Sequence, residues 1–390
     1  MKRLVLMILV LDMFLSAQAA QAGWAPARRL TWTAGDSACP AIAAGSSGHL
    51  HLVWQDRTPG NDEIYYRKST DAGATWPLNR RLTWNAGSSV APDIAVDPSG
   101  NPHVVWHDNT PGNLEIFYRK STDAGATWVP KTVLTSTSGD SIYPDLAVDS
   151  SGNPHVVWQE YVEGNYEIYY RKSTDGGTTW TPAQRLSWTA TDSGRPAIAF
   201  DSSGILAVLW HDYEDGDPYE QREIYLRRST NGGSSWALAD RLSWTSGDSE
   251  YPDIAPDSLG NLHVAYMDKT PGNVEIYYFR MLDGATARTA TRRLTQTSGE
   301  SSFPAIAVDS SGNPHVVWYD NSPGNLEIYY KKSEDGGATW MPIQRLTWDS
   351  AASLFPDIAV DSSDHLHLVW HDNRAVNPIW NLEIFYRSYQ

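Results

Sequence analysis

The sequence has almost no cysteine, few basic residues and, after its N-terminus, no long apolar run. It has one cysteine, Cys39, so no disulfide can form within the chain. Beyond the first 22 residues no stretch approaches eighteen consecutive apolar residues, which excludes a membrane-spanning helix there. Basic residues are also in deficit, because 30 Lys and Arg stand against 46 Asp and Glu, giving a net charge of −16. This balance argues against nucleic acid and anionic membrane surfaces as partners.

The N-terminus carries the one extended apolar run. Lys2 and Arg3 precede an apolar segment over 4–15 that is broken only by Asp12, and small residues follow as far as Ala22. This order is typical of a secretory signal peptide. It predicts cleavage near Ala22, secretion to the extracellular space or the periplasm, and a single domain over residues 23–390.

A motif of the form Ser-x-Asp-x-Gly-x-Thr-Trp recurs along the chain. Copies stand at 69–76, 121–128, 173–180, 229–236 and 333–340, with a degenerate copy at 281–288. Glycine supplies a positive-φ turn position, the carboxylate accepts backbone N–H groups, and the indole packs between strands. The motif resembles the Asp-box, or bacterial neuraminidase repeat, of sialidase-like β-propellers. Its structural residues here are Asp71, Asp123, Asp175, Asn231, Asp335, Trp76, Trp128, Trp180, Trp236 and Trp340.

The whole chain divides into seven copies of one unit. Its equivalent aromatic positions, separated by 52 or 56 residues, are Trp54, Trp106, Trp158, Trp210, Tyr266, Trp318 and Trp370. In the second unit, four β-type runs at 92–97, 103–106, 115–119 and 132–135 are joined by turn residues. A period near fifty with four strands per unit predicts an all-β, seven-bladed β-propeller with four-stranded antiparallel blades.

The two ends of the chain complement each other. Residues 24–32 read like the outermost strand of a blade at 180–188, whereas the C-terminus ends on a third strand at 383–387. We therefore expect the N-terminal strand to close the ring by completing the seventh blade, which leaves no unpaired edge.

Ligand-binding residues are expected on the loops opposite the Asp-boxes. The loops from each outer strand to the next inner strand carry Trp32, Trp84, Trp188, Trp244 and Trp348, and the acidic residues Asp36, Asp140, Asp192, Asp248 and Glu300. An indole beside a carboxylate suits sugar binding, although the same indoles would also serve as wedges between blades. The inner strands add Asp93, Asp145, Asp253 and Asp357, which we expect to be solvated strand-end carboxylates around the channel. The alternative is an incomplete acidic collar at the channel mouth that attracts a cation.

Two features break the repeat. The blade-4 loop offers Asp212, Glu214, Asp215 and Asp217 as oxygen ligands, so Ca²⁺ is a candidate ion there, and no motif requires another cofactor. Arginines appear at positions 57, 195 and 374, where other units have other residues. The resemblance to sialidases implies a carboxylate-binding arginine triad, for which Arg57, Arg195 and Arg374 are the candidates, but the Arg-Ile-Pro signature near the start of that fold is absent.

The function that these patterns favour is a secreted, non-catalytic binding module. Its expected ligand is carbohydrate, bound at several equivalent loops, with a glycan or an extracellular protein as the partner. The alternatives are an exo-acting glycoside hydrolase of the sialidase type and a protein-interaction scaffold. Symmetry separates them, because a lectin can repeat a site in several blades whereas an enzyme needs one site that differs.

Overall fold

The computed structural model describes residues 23–213, 221–270, 272–282, 284–348, 350–373 and 381–390, which form seven antiparallel sheets. Each sheet is one blade, with an inner, a second, a third and a short outer strand. The prediction of an all-β, seven-bladed propeller is confirmed. No helix among these residues has the length and apolar character needed to cross a membrane.

The strands are short at the outer edge and long near the axis. Blades 1 to 3 contain β2 (Ser37–Ala44), β3 (Leu50–Asp56), β4 (Glu63–Ser69) and β5 (Arg80–Arg81); β6 (Ser89–Val96), β7 (Pro102–Asp108), β8 (Glu115–Lys120) and β9 (Thr132–Val133); β10 (Ser141–Val148), β11 (Pro154–Val162), β12 (Asn165–Lys172) and β13 (Gln184–Arg185). Blades 4 and 5 contain β14 (Gly194–Phe200), β15 (Leu206–Tyr213), β16 (Arg222–Ser229) and β17 (Asp240–Arg241); β18 (Ser249–Pro256), β19 (Leu262–Asp268), β20 (Glu275–Leu282), β21 (Ala287–Arg288) and β22 (Arg292–Arg293).

The last two blades complete the ring. They contain β23 (Ser301–Val308), β24 (Pro314–Asp320), β25 (Glu327–Lys332) and β26 (Gln344–Arg345); then β27 (Ser353–Val360), β28 (Leu366–Asp372) and β29 (Glu383–Tyr389). The outer strand of blade 7 is β1 (Arg28–Arg29), which pairs with β29 so that Arg28 faces Tyr386. The predicted closure by the N-terminal strand agrees with this pairing.

Neighbouring blades are joined by a repeated contact of three side chains. Between blades 2 and 3, the hydroxyl of Tyr118 lies 2.6 Å from Nδ1 of His103, and the Tyr118 ring packs edge-on against Trp180 with centroids 4.9 Å apart. Six junctions have this arrangement, with a Tyr and a His from one blade and a Trp from the next. At the junction of blades 6 and 7 the indole is Trp24, so the N-terminal strand also supplies a wedge in place of an Asp-box.

The Asp-box fixes the turn that presents this Trp. In the second blade, Asp123 accepts hydrogen bonds from the Thr127 backbone N–H at 2.6 Å and from the Ser121 hydroxyl at 2.7 Å. The Ser121 hydroxyl oxygen in turn accepts the N–H of Gly125. The Thr127 contacts, foremost among these bonds, lower the pKa of Asp123 to about 2. The carboxylate therefore stays ionised at any physiological pH and stabilises the turn.

Gly177 lies where two neighbouring blades pack most closely, so a substitution there measures how tight that packing is. A Cβ at this position would lie 2.2 Å from the Tyr118 hydroxyl oxygen, and the residue has a φ of +89°. Gly100 has nearly the same φ, +83°, but no neighbour within 4 Å of such a Cβ. We expect Gly100→Ala to cost about 1 kcal/mol of unfolding free energy from backbone strain, and Gly177→Ala to cost a further ~2 kcal/mol from the clash. Urea unfolding of both variants measures the difference, and equal losses would contradict the contact.

Candidate functional site

Five indoles stand exposed on the loops that follow the outer strands. These tryptophan platforms, Trp32, Trp84, Trp188, Trp244 and Trp348, are 56–68% exposed. They are therefore not wedges between blades, and that alternative is wrong. The wedges are the Asp-box indoles, whose ring contacts with the preceding blade are described above.

The loop around each platform is held by a glutamate at or near the start of the third strand. In blade 1, the Glu63 carboxylate accepts hydrogen bonds at 2.8 Å from the Arg81 guanidinium and from the Asn85 backbone N–H. These two contacts fix the chain on both sides of Trp84. The Arg81 guanidinium also lies 5.7 Å from the centroid of the Trp84 ring, a cation–π contact. Equivalent arginines lie near three other platforms, namely Arg29, Arg185 and Arg241.

A groove runs beside the platform of the first blade. It has a volume of about 330 Å³ and lies between blades 1 and 2. Trp84 and Arg81 line it from one blade, and Arg119 and Trp128 line it from the other. An exposed ring beside a groove of this size has room for a sugar unit.

The acidic residues predicted to accompany the indoles have a structural role in four blades. Asp36, Asp140, Asp192 and Asp248 each accept the N–H of a residue at or next to the start of a third strand, at 2.8–3.1 Å. For Glu300, the structure records a hydrogen bond from its backbone N–H to Asn321. The carboxylates thus brace the loop ends beside the platforms, and the second oxygen of Asp248 also accepts a hydrogen bond from the Lys269 ammonium at 2.9 Å.

The paired carboxylates of the second-to-third hairpins are also internal. Asp108 accepts the Thr110 N–H and the Ser89 hydroxyl at 2.7 and 2.6 Å, and Glu115 accepts the Thr137 N–H at 2.8 Å. These two carboxylates therefore brace the loops on either side of their hairpin.

A second cavity lies on the propeller axis. This axial pocket has a volume of about 450 Å³ and is lined by the inner strands of all seven blades. A β-bulge in each inner strand places one residue at its mouth with a φ of 48–53°. The bulge residues are Cys39, Ala91, Tyr143, Arg195, Tyr251, Phe303 and Phe355, and each is followed by a proline. None of the seven bulge residues is glycine, although a positive φ favours glycine. The side chains at the mouth are therefore present despite the backbone strain that this φ imposes.

The bulges are positioned by the preceding blade. The N–H of Arg195 donates to the Gln159 side-chain oxygen at 3.0 Å, and the N–H of Tyr143 donates to Nδ1 of His107 at 3.3 Å. Arg195 itself lies against two rings, 3.4 Å from the Tyr143 centroid and 4.9 Å from that of Tyr251. The rings of Tyr251 and Phe303 continue this wall, with centroids 4.2 Å apart. One side of the mouth is therefore aromatic and cationic, and the side at Cys39 and Ala91 carries small side chains.

The inner-strand aspartates line the axial pocket, but they are not solvated strand ends as expected. Each accepts the backbone N–H of the next blade's inner strand at 2.7–2.8 Å, and the pairs are Asp93 with Leu146, Asp145 with Ile198, Asp253 with Ile306, and Asp357 with Ile42. Burial in the channel wall raises the pKa of Asp253 to about 8 and that of Asp357 to about 7. The prediction missed this because the partner amide belongs to a different unit of the repeat.

The three candidate arginines do not share one environment. Arg195 lines the axial pocket, whereas Arg57 lies in an exposed loop and pairs with Asp62 at 2.9 Å. Arg374 lies outside the described residues. Cys39 is also at the mouth, and burial raises the pKa of its thiol to about 11, so the thiol remains protonated and unreactive at neutral pH.

The calcium candidate rests largely on residues that the structure does not describe, namely Glu214, Asp215 and Asp217. Asp212 is described, and its carboxylate accepts hydrogen bonds from the Ser193 hydroxyl and from the indole N–H of Trp210. Within the described ranges, no group of three His, Cys, Asp or Glu side chains is arranged to hold a metal ion.

The fold and these surfaces define a class of protein, a seven-bladed Asp-box propeller with aromatic platforms on one face and a pocket on its axis. The chain belongs to the BNR repeat-like domain family, whose model matches residues 12–264. No curated protein sequence matches the chain significantly.

Solved structures share this fold at low identity. An ulvan lyase of a polysaccharide lyase family is 12% identical, covers 92% of this chain and 95% of its own, and has a TM-score of 0.64. A protein of unknown function from Dyadobacter fermentans is 14% identical over 93% and 99%, with a TM-score of 0.58. An intramolecular trans-sialidase from Ruminococcus gnavus is 14% identical over 93% and 97%, with a TM-score of 0.53.

The raised pKa of Asp253 predicts a pH-dependent stability. Asp253 binds its proton more tightly in the fold than in the unfolded chain, so its contribution to stability is present at acid pH and is lost as pH rises from about 4 through 8. The unfolding free energy of Asp253→Asn should therefore rise relative to that of the wild type by up to about 4 kcal/mol between pH 5 and pH 9. Thermal unfolding at both pH values measures this gain.

Asp123→Asn is the matched control, because blade 4 has Asn231 at the same motif position. Its carboxylate is ionised in both states over this pH range, so the difference from the wild type should stay constant. A constant difference for Asp253→Asn as well would contradict the shifted pKa.

Proposed function

We propose that residues 23–390, exported behind a signal peptide at 1–22, act as a multivalent glycan-binding module whose tryptophan platforms contact the sugars. The observation that carries this proposal is the exposure of five equivalent indoles, 56–68% each. An exposed indole contributes little to the packed core, and the same large apolar ring exposed at equivalent loops of five blades offers a repeated surface of the kind that binds ligands.

The chemistry of the platforms suits carbohydrate. An indole face packs against the C–H groups of a sugar ring, and the neighbouring guanidinium and loop carboxylates supply hydrogen bonds to hydroxyls. Five weak sites on one rigid ring bind a multivalent surface tightly through avidity. Several proteins with the same fold act on carbohydrate according to their names, among them the ulvan lyase and the trans-sialidase.

A glycan array probed with residues 23–390 tests this function. We expect saturable binding that weakens at least tenfold when Trp84 and Trp244 are both replaced by Ala, since two platforms are then lost from a multivalent contact. Leu259→Ala is the control, because Leu259 is 79% exposed on a turn at the Asp-box end of the blades. Equal weakening by the control would contradict a role for the platforms, and a blank array would favour a protein partner. Loss of binding with a chelator would indicate calcium at the blade-4 loop.

A second candidate function is exo-acting glycoside hydrolysis at the axial pocket. The observation in its favour is the asymmetry of the mouth, where one unit has Arg195 in place of an aromatic or small residue. Asp253, with its raised pKa, supplies a protonated carboxyl group near neutral pH. Release of fluorophore from a fluorogenic sialoside, abolished by Arg195→Gln, is expected of such an enzyme. No release by the wild type would remove this alternative.

A further inference from the structure

The contact between blades 4 and 5 departs from the other six. At the positions of the His, the Tyr and the Asp-box Trp stand Ala207, Leu226 and Arg288. The space is filled by an apolar cluster that includes Leu226, Phe279 and Met281. All three members of the usual contact are thus replaced together, and residue 288 is no longer needed as a wedge.

Arg288 lies exposed on the surface beside a platform. Its guanidinium carbon is 5.3 Å from the centroid of Trp244 and 5.5 Å from that of Phe279. Its recorded hydrogen bond is to the Thr291 hydroxyl, at 3.3 Å. No carboxylate among the described residues pairs with it.

The neighbouring platform has a similar second arginine. The guanidinium carbon of Arg227 is 4.9 Å from the centroid of Trp188. Its equivalents Arg119 and Arg171 donate hydrogen bonds to backbone carbonyls at the blade junction. Arg227 has no such bond and no ion pair within the part of the chain that the structure describes, and its Nε lacks a partner there.

These two arginines differ from the one that every such platform shares. The first arginine of each site is neutralised by a buried glutamate, as Arg185 is by Glu167 at 2.8 Å. Arg227 and Arg288 therefore add positive charge that no carboxylate of the described residues pairs with, in a chain whose net charge is −16. A guanidinium beside an indole is held in place by the cation–π contact, while those of its N–H groups that reach solvent remain able to bind an oxyanion.

We propose that the platforms at Trp188 and Trp244 bind the anionic groups of an acidic glycan, with Arg227 and Arg288 pairing with its carboxylates or sulfate esters. This inference rests on the glycan-binding function proposed above and assigns the charge of the ligand. The two platforms follow the outer strands of successive blades, β13 and β17, so one acidic chain that reaches both gains from bivalency.

Binding of three oligosaccharides of equal length, neutral cellohexaose, carboxylated hexagalacturonate and a sulfated hexasaccharide, tests the proposal on residues 23–390. We expect one or both acidic probes to bind at least fivefold more tightly than the neutral probe at 50 mM salt, with the advantage shrinking at 500 mM. Arg288→Gln should weaken acidic binding about threefold to tenfold and leave neutral binding unchanged. The stronger acidic probe shows whether carboxylate or sulfate is preferred.

Arg292→Gln is the matched control. Arg292 is also exposed and near Arg288, and two other blades have Gln at its position, Gln184 and Gln344. If Arg292→Gln weakens acidic binding as much as Arg288→Gln does, the effect is one of overall charge and the proposal is overturned. If the neutral probe binds as tightly as the acidic ones and still depends on Trp244, only this inference fails. If no probe binds, the proposed function fails with it.

Discussion

The contact between a Tyr hydroxyl of one blade and the Asp-box of the next is the constraint on which this structure depends. The Tyr118 hydroxyl is fixed by His103 and lies so close to Gly177 that no side chain fits there. The glycine, the Trp and the partner Tyr must therefore be kept together. With a single cysteine and no disulfide, five such contacts, together with the packing of Trp24 on Tyr330 between blades 6 and 7, hold the sheets at the distances that close the ring.

The residues that repeat this contact and stabilise the ring are different from the residues that are available to bind a ligand. The contact uses the Asp-box end of the blades, so the opposite loops and the bulges are free to differ from copy to copy. The seven bulges share a φ near 50° and a following proline, yet their side chains range from Ala91 to Arg195. The junction of blades 4 and 5 shows the same freedom, because a filled apolar space replaces the polar contact and leaves Arg288 at the surface.

Many of the acidic residues that give the chain its net negative charge accept hydrogen bonds within the fold. Glu63 braces a loop, Asp123 closes a turn, and Asp253 links two inner strands across the channel wall. Such carboxylates present little free charge to a ligand. A cation at a binding surface that has no carboxylate partner among the described residues then has a large effect on the local potential, since the interaction of charges depends on proximity more than on the total. Arg195 at the axial pocket and Arg227 and Arg288 at the platforms are such cations.

The sequence by itself determined the number of blades, the four strands of each, the turn motif and the closure by residues 24–32. These features follow from the alternation of apolar and polar residues and from the turn residues within each unit of about fifty residues. Both are local properties of the sequence, and they recur in every copy of the unit. The tertiary structure decided what depends on neighbouring copies. It placed the Asp-box indoles as wedges and Trp84 and its equivalents in solvent, and it joined Asp253 to an amide 53 residues away. It also set the positive φ at Tyr143 and Arg195, because a bulge arises from the register between two strands, which no local pattern encodes.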